Sequence, residues 1–238
     1  METLNLWKHG LGRVPEAVWD RADVEVLILA DNALTSLSPR VAELRALRTL
    51  DLGHNELGEL PEAIGALTGL TDCLYLHDNR LTRLPETLGG LTRLRYLNVG
   101  ENPLARLPES LGSLAALVEL RAQQAGLTVL PDAIGALGSL RELSLRGNAL
   151  DALPGSAAAL VALRELDLRE NAFTRVPPAL AGLPLLRRLD LRGNRIAELP
   201  AWLAELPSLE RLDLRWNPVD PDPGLLARLD ARGCVVWR

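Results

Sequence analysis

The chain has 238 residues, of which 47% are hydrophobic, and carries a formal net charge of −5. The hydrophobic share is enough for a substantial core in a soluble protein, and the acidic balance argues against a nucleic-acid binder, which ordinarily shows a basic excess. No apolar run approaches the roughly 18–20 residues of a membrane span, and the start METLNLWKHG lacks the basic and apolar regions of a signal peptide.

Along the chain one pattern recurs. L-x-L-x-x-N-x-L begins at Leu4, Leu27, Leu50, Leu74, Leu97, Leu120, Leu143, Leu166, Leu189 and Leu212. The step is 23 residues except between Leu50 and Leu74, where TDCLYL carries one extra residue near Cys73. Each L-x-L reads as a short strand with leucines pointing inward and the x residues outward. One coil cannot bury its leucines alone, but stacked coils can, in a parallel sheet advancing ~4.8 Å per rung. Ten rungs then give an arc of roughly 50 Å.

Residues 1–24 read as an atypical capping repeat. Arg21 stands where later coils have Leu, and Glu16, Asp20 and Asp23 make the outer coil polar, as a terminal repeat requires. Asn32, Asn55, Asn79, Asn102, Asn148, Asn171, Asn194 and Asn217 then hold one shared place. An amide there donates and accepts at once, so it ties a buried turn to the next coil. His9 and Ala125 break the rule. The Ala125 rung predicts an irregularity in AQQAGL, with a backbone group short of a partner unless Gln124 or a water supplies one. Residues 218–238 read as a C-terminal cap: the turn PVDPDPG, a short helix in LLARLDARG stopped by Gly233, and CVVWR as a closing strand. That strand aligns through Val235 and Trp237, with Trp237 turned inward over the last leucines. Asp220 and Asp222 lack the spacing and closing Glu of an EF-hand, so a proline-rigid turn is expected there.

The unit LRTLDLGHNELGELPEAIGALTG at residues 47–69 shows Leu47, Leu50, Leu52, Leu57, Leu60, Ile64 and Leu67 at recurring places, with Pro61 and Gly65 less strictly repeated. It resembles the leucine-rich repeat family over essentially the whole chain. Its L-P-x-x-[IL]-G-x-L variant is similar to the Ras-group-related and bacterial cytoplasmic members. The resemblance implies an α/β solenoid: a single curved horseshoe over residues 1–238, with a parallel sheet on the concave face, short helical or 3-10 turns on the convex face, and about ten repeats plus a terminal strand. It also implies a protein partner, a small GTPase or signalling enzyme among the kinds to consider.

The concave columns divide the chain into halves. On the C-terminal side they hold Asp167, Asp190 and Asp213 between Glu119, Glu142, Glu165, Arg188 and Arg211 on one side and Arg146, Arg169, Arg192 and Arg215 on the other. Such interleaving predicts a self-neutralising charge lattice, with the arginines fixing a partner's orientation. On the N-terminal side Trp7, Val26, Ile28, Tyr75, His77 and Tyr96 stand beside Gly53 and Gly100. Aromatic anchors next to gaps are the usual make-up of an interface hot spot. Trp202 and Trp216, on loops near the far end, form a secondary candidate patch.

No nucleophile, acid and base stand at a recognisable spacing, and no phosphate loop or dinucleotide fingerprint is present. His54 and His77, on adjacent rungs, make at best a weak metal pair. Neither a metal nor a cofactor is expected. Cys73 and Cys234 read as free thiols, so a reducing, cytoplasmic setting is expected, with delivery into a host cell as an effector still open. The sequence therefore points to a non-enzymatic protein-binding module, monomeric or weakly dimeric, with no nucleic-acid or membrane partner. A recognition arm of a larger enzyme or bacterial effector of ubiquitin-ligase, kinase or GTPase type, and a self-assembling structural protein, are the competing readings.

Overall fold

The computed structural model describes residues 2–238. Three-residue strands recur once per coil: β1 (Thr3–Asn5), β2 (Val26–Ile28), β3 (Thr49–Asp51), β4 (Cys73–Tyr75), β5 (Tyr96–Asn98), β6 (Glu119–Arg121), β7 (Glu142–Ser144), β8 (Glu165–Asp167), β9 (Arg188–Asp190), β10 (Arg211–Asp213) and β11 (Val235–Trp237). They form one parallel sheet in chain order. From β1 to β10 leucine faces leucine at the centre of every pair. The 24-residue coil keeps this register, with Leu50 opposite Leu74.

Short 3-10 turns line the convex side of each coil. Prolines start most of them: Pro61, Pro85, Pro108 and Pro131 sit at φ between −71° and −66° just before the turn. The ring fixes that angle and removes a donor that would have no partner there. Between sheet and turns runs one continuous leucine core, with Trp19 and Phe173 among the largest fully buried side chains.

The asparagines join coil to coil as their chemistry demands. Asn55 accepts at Oδ1 from the backbone N–H of Asn32 and Leu34, both at 3.0 Å, and donates from Nδ2 to the carbonyls of Leu29, Leu52 and Gly53. The residue before each Asn place is left-handed in all ten coils, from φ 49° at Gln124 to 68° at Gly147. Only Gly147 and Gly193 meet this demand with glycine; even Trp216 adopts φ 60°.

The Ala125 rung is irregular, and a backbone carbonyl takes over part of the missing amide's work. The N–H groups of Leu104 and Ala105 turn to the Ala125 carbonyl at 3.1 and 3.2 Å, and Gly126 beside it adopts φ 67°.

The C-terminal cap follows expectation except in register. Helix α1 (Pro223–Ala231) is capped by Asp222, whose carboxylate accepts from Leu225 N–H, and Gly233 ends it at φ 77°. In β11, however, Val236 faces Leu212 and Trp237 faces Asp213. Trp237 is therefore 39% exposed on the concave surface, whereas Cys234 is buried. The expected inward turn of Trp237 is wrong by one residue, and a one-residue slip exchanges the two faces of a strand. The longer helical crossover makes this last step 24 residues from Leu212 to Val236 rather than 23.

At the other end Arg21 pairs with Glu2 at 2.7 Å and Asp23 at 3.2 Å, and Arg40 gathers Glu16, Asp20 and Glu43. The first coil is thus fastened to the second by exposed ion pairs around a buried Trp19. Among the described residues no helix is long and apolar enough to cross a membrane.

Candidate partner-binding face

The middle residue of each strand faces the core, so its two neighbours stand on the concave surface. In the C-terminal half these neighbours form a continuous zigzag. Arg169 grips Asp167 at 2.7 Å and reaches Asp190 at 3.4 Å; Arg192 grips Asp190 at 2.6 Å and reaches Asp213 at 3.4 Å; Arg215 grips Asp213 at 2.7 Å. Burial alone would raise the Asp213 carboxyl, but hydrogen bonds from the Arg215 side chain and backbone N–H and the Arg192 charge hold it below the ordinary range. Three carboxylates and three guanidiniums cancel. The lattice read from the sequence is present, yet these arginines are already engaged with one another's partners. Arg146 stands outside it and bonds Glu170 at 3.3 Å.

The end of the zigzag is different. No Asp follows Arg215, because Trp237 occupies the next rung, and Arg211 and Arg215 lie over its ring at 4.6 and 5.0 Å. Arg211 makes no ion pair among the described residues. Together with Glu142, Glu165 and Arg188 this corner lines a cavity of about 410 Å³. Trp237 is a further candidate for this face, absent from the sequence reading because the wrong register turned it inward.

In the N-terminal half Tyr75 and Tyr96 lie on the concave surface, half-buried, with ring centroids 5.0 Å apart. Burial pushes both phenols upward, with Cys73 adding to the effect at Tyr75. His77 stands 6.1 Å from Tyr75 and 4.7 Å from His54. The glycine gaps expected beside these rings are filled. A Cβ on Gly53 would meet His77 Cε1 at 2.5 Å, and one on Gly100 would meet Gln123 Cδ at 2.6 Å. Each glycine makes room for the side chain of the next rung, so no pocket is left there for a partner.

The patch is also shorter than the sequence implied. Trp7, Val26 and Ile28 occupy the first two rungs, and the polar rung of Thr49 and Asp51 separates them from Tyr75. Trp7 is 50% exposed and donates from its indole to Asp31 at 2.8 Å. The two far tryptophans do not meet: Trp202 packs against the core from a convex 3-10 turn, whereas Trp216 is 72% exposed just beyond β10.

His54 and His77 approach with Nε2 atoms 3.2 Å apart, and His54 Nδ1 contacts Asp78 at 2.6 Å. Burial, then His54, lowers the His77 pKa. The folded state therefore holds fewer protons than the unfolded one once pH falls below about 6.5. The stability from neutral His77 is complete above that pH and is lost as acid reaches the lowered folded value. The melting temperature should fall from pH 7.5 to 5.5 with a steeper slope in the wild type than in His77→Gln; equal slopes would remove His77 as the cause.

The family model described as leucine rich repeat matches residues 22–81, 138–196 and 179–219, more than half of the chain. The chain belongs to the leucine-rich repeat family. No curated protein matches it in sequence. A leucine-rich repeat protein of Leptospira interrogans shares 20% identity at a TM-score of 0.61, over 99% of this chain and 95% of that one. The functional domain of InlJ from Listeria monocytogenes shares 21% at 0.80, over 99% and 52%. The ectodomain of the plant membrane receptor kinase GASSHO1/SCHENGEN3 from Arabidopsis thaliana, solved with CASPARIAN STRIP INTEGRITY FACTOR 2, shares 30% at 0.78, over 92% and 27%. This leucine-rich repeat chain thus spans about a quarter of the receptor ectodomain and about half of the InlJ domain. Domains of this family generally mediate protein–protein interaction and typically are not enzymes. No group of three or more His, Cys, Asp or Glu side chains is set to hold a metal ion among the described residues.

Proposed function

We propose that this chain is a non-enzymatic docking scaffold that holds a protein or peptide partner on its concave face. The observation that carries the reading is the Tyr75–Tyr96 pair. Two aromatic rings stand on the sheet face, each with a polar tip, and burial among neighbours has already removed much of their rotamer freedom. A partner's apolar segment gains contact area there with little further ordering of the scaffold. The Asp–Arg zigzag supplies orientation rather than net charge: its guanidiniums are held through Nε and Nη2 by Asp167, Asp190 and Asp213, which leaves Nη1 of each for a partner. Trp237 and Arg211 join the surface at its far end. The plant peptide hormone receptor RGFR1 in complex with RGF2, 25% identical at a TM-score of 0.71, supports a peptide-sized partner.

The test is partner capture from the cell of origin, followed by affinity measurement. Tyr75→Ala with Tyr96→Ala should weaken the captured partner tenfold or more, with the melting temperature shifted by only a few degrees. Unchanged affinity removes these two rings from the interface.

A further inference from the structure

We infer that the flank between the convex turns and the strands carries a docking site for an acidic segment of a protein partner. This surface is separate from the concave face and does not rest on the function proposed for it.

A cavity of about 610 Å³ opens on this flank, lined by Arg93, Arg95 and Arg141 around a floor of Ala116, Val118 and Ala162, with no carboxylate in the lining. One column of the repeat explains it. Backbone hydrogen bonds of 2.8 Å run from Val118 N–H to Arg95, from Arg141 N–H to Val118 and from Arg164 N–H to Arg141, so these residues lie on successive rungs. At the ends of the same column the arginines are paired, Arg48 with Asp72 at 3.3 Å and Arg187 with Glu210 at 3.6 Å. In the centre, Arg95, Arg141 and Arg164, with Arg93 beside them on the cavity wall, make no ion pair among the described residues. A chain of net charge −5 thus gathers four guanidiniums without an ion pair along one flank.

The geometry points to peptide. Arg95 and Arg141 are two rungs apart, ~10 Å, and a polyproline II segment covers that span in about three residues at ~3.1 Å each. One turn of that helix is about three residues, so carboxylates at positions i and i+3 fall on the same face and each would meet a guanidinium fork. Val161, 53% exposed one repeat beyond Gly138, adds an apolar shoulder beside the cavity. No aromatic ring lines the cavity, whereas single-stranded nucleic acid is held by stacking on such rings.

The full chain is titrated with a labelled, capped peptide, Glu-Val-Ala-Glu-Val-Ala-Glu, and with its Gln-for-Glu counterpart. The acidic peptide should bind at least tenfold more tightly. Arg95→Gln with Arg141→Gln should weaken it at least tenfold. Arg48→Gln with Arg187→Gln, which changes net charge equally, should leave it within twofold. Tyr75→Ala with Tyr96→Ala should also leave it within twofold, so failure of the concave-face reading and failure of this one are told apart. The proposal is overturned if the acidic peptide shows no preference, if both arginine pairs weaken it equally, if the tyrosine pair weakens it as much, or if an oligouridylate of equal charge or phosphatidylserine vesicles bind more tightly.

Discussion

Replacing Asn55 by Ala is expected to destabilise the chain by about 3–5 kcal/mol, read as a lower denaturant midpoint with an unchanged slope. The side chain makes five hydrogen bonds, and the two it accepts are the only side-chain support for the N–H groups of Asn32 and Leu34. Both donors are buried, and each buried donor left without a partner costs about 1–3 kcal/mol. The chain contains its own control. At Ala125 the asparagine is absent, and the neighbouring N–H groups turn to a backbone carbonyl beside Gly126. Glu56, which follows Asn55, lacks the conformational freedom of Gly126 to make that repair. Asn55→Asp should be at least as damaging, because it keeps the acceptor but aims a carboxylate at the carbonyls of Leu29, Leu52 and Gly53. A loss under about 1 kcal/mol would show that the turns hold without the amide.

The second large effect concerns the convex side. Gly65→Ala should cost about 2–4 kcal/mol. Its new methyl would lie 2.1 Å from the Thr87 carbonyl oxygen, and that oxygen belongs to the backbone of the next turn. A rigid neighbour cannot yield as a side-chain tip can. The turns would have to spread, opening the leucine layer beneath Ile64 and Leu88. Gly58→Ala is the matched comparison: nothing lies within 4 Å of its added Cβ. There the lost freedom of the unfolded chain should make the change neutral or stabilising by up to about 1 kcal/mol. Thermal melts of the two variants side by side decide the matter; similar midpoints would refute close approach of the turns.

The repeat made strands β1 to β10, the asparagine ladder and the leucine core readable before any coordinate, because a fixed period converts one-dimensional spacing into spatial neighbours. What depended on a single rung was less readable. At β11 the alternation of Val235 and Trp237 competed with that of Cys234 and Val236, and only the length of the helical crossover chose between them. Gly53 and Gly100 looked like openings, but spacing alone does not say that His77 and Gln123 lean back one rung to occupy them. Likewise the zigzag from Asp167 to Arg215 followed from composition by column, whereas its ending on Trp237 did not. The left-handed residue before each asparagine left little trace, since eight of the ten are not glycine.

The gap in the amide ladder at Ala125 divides the horseshoe unequally. Coils that carry the tyrosines lie on one side of it and coils that carry the Asp–Arg zigzag on the other. Solenoid stability is a chain of nearest-neighbour couplings, so an array parts first at its weakest coupling. With its amide tie missing, the step from β5 to β6 is expected to yield more readily than an asparagine-linked step of equal packing, letting the two jaws of the hollow change their angle around whatever they hold.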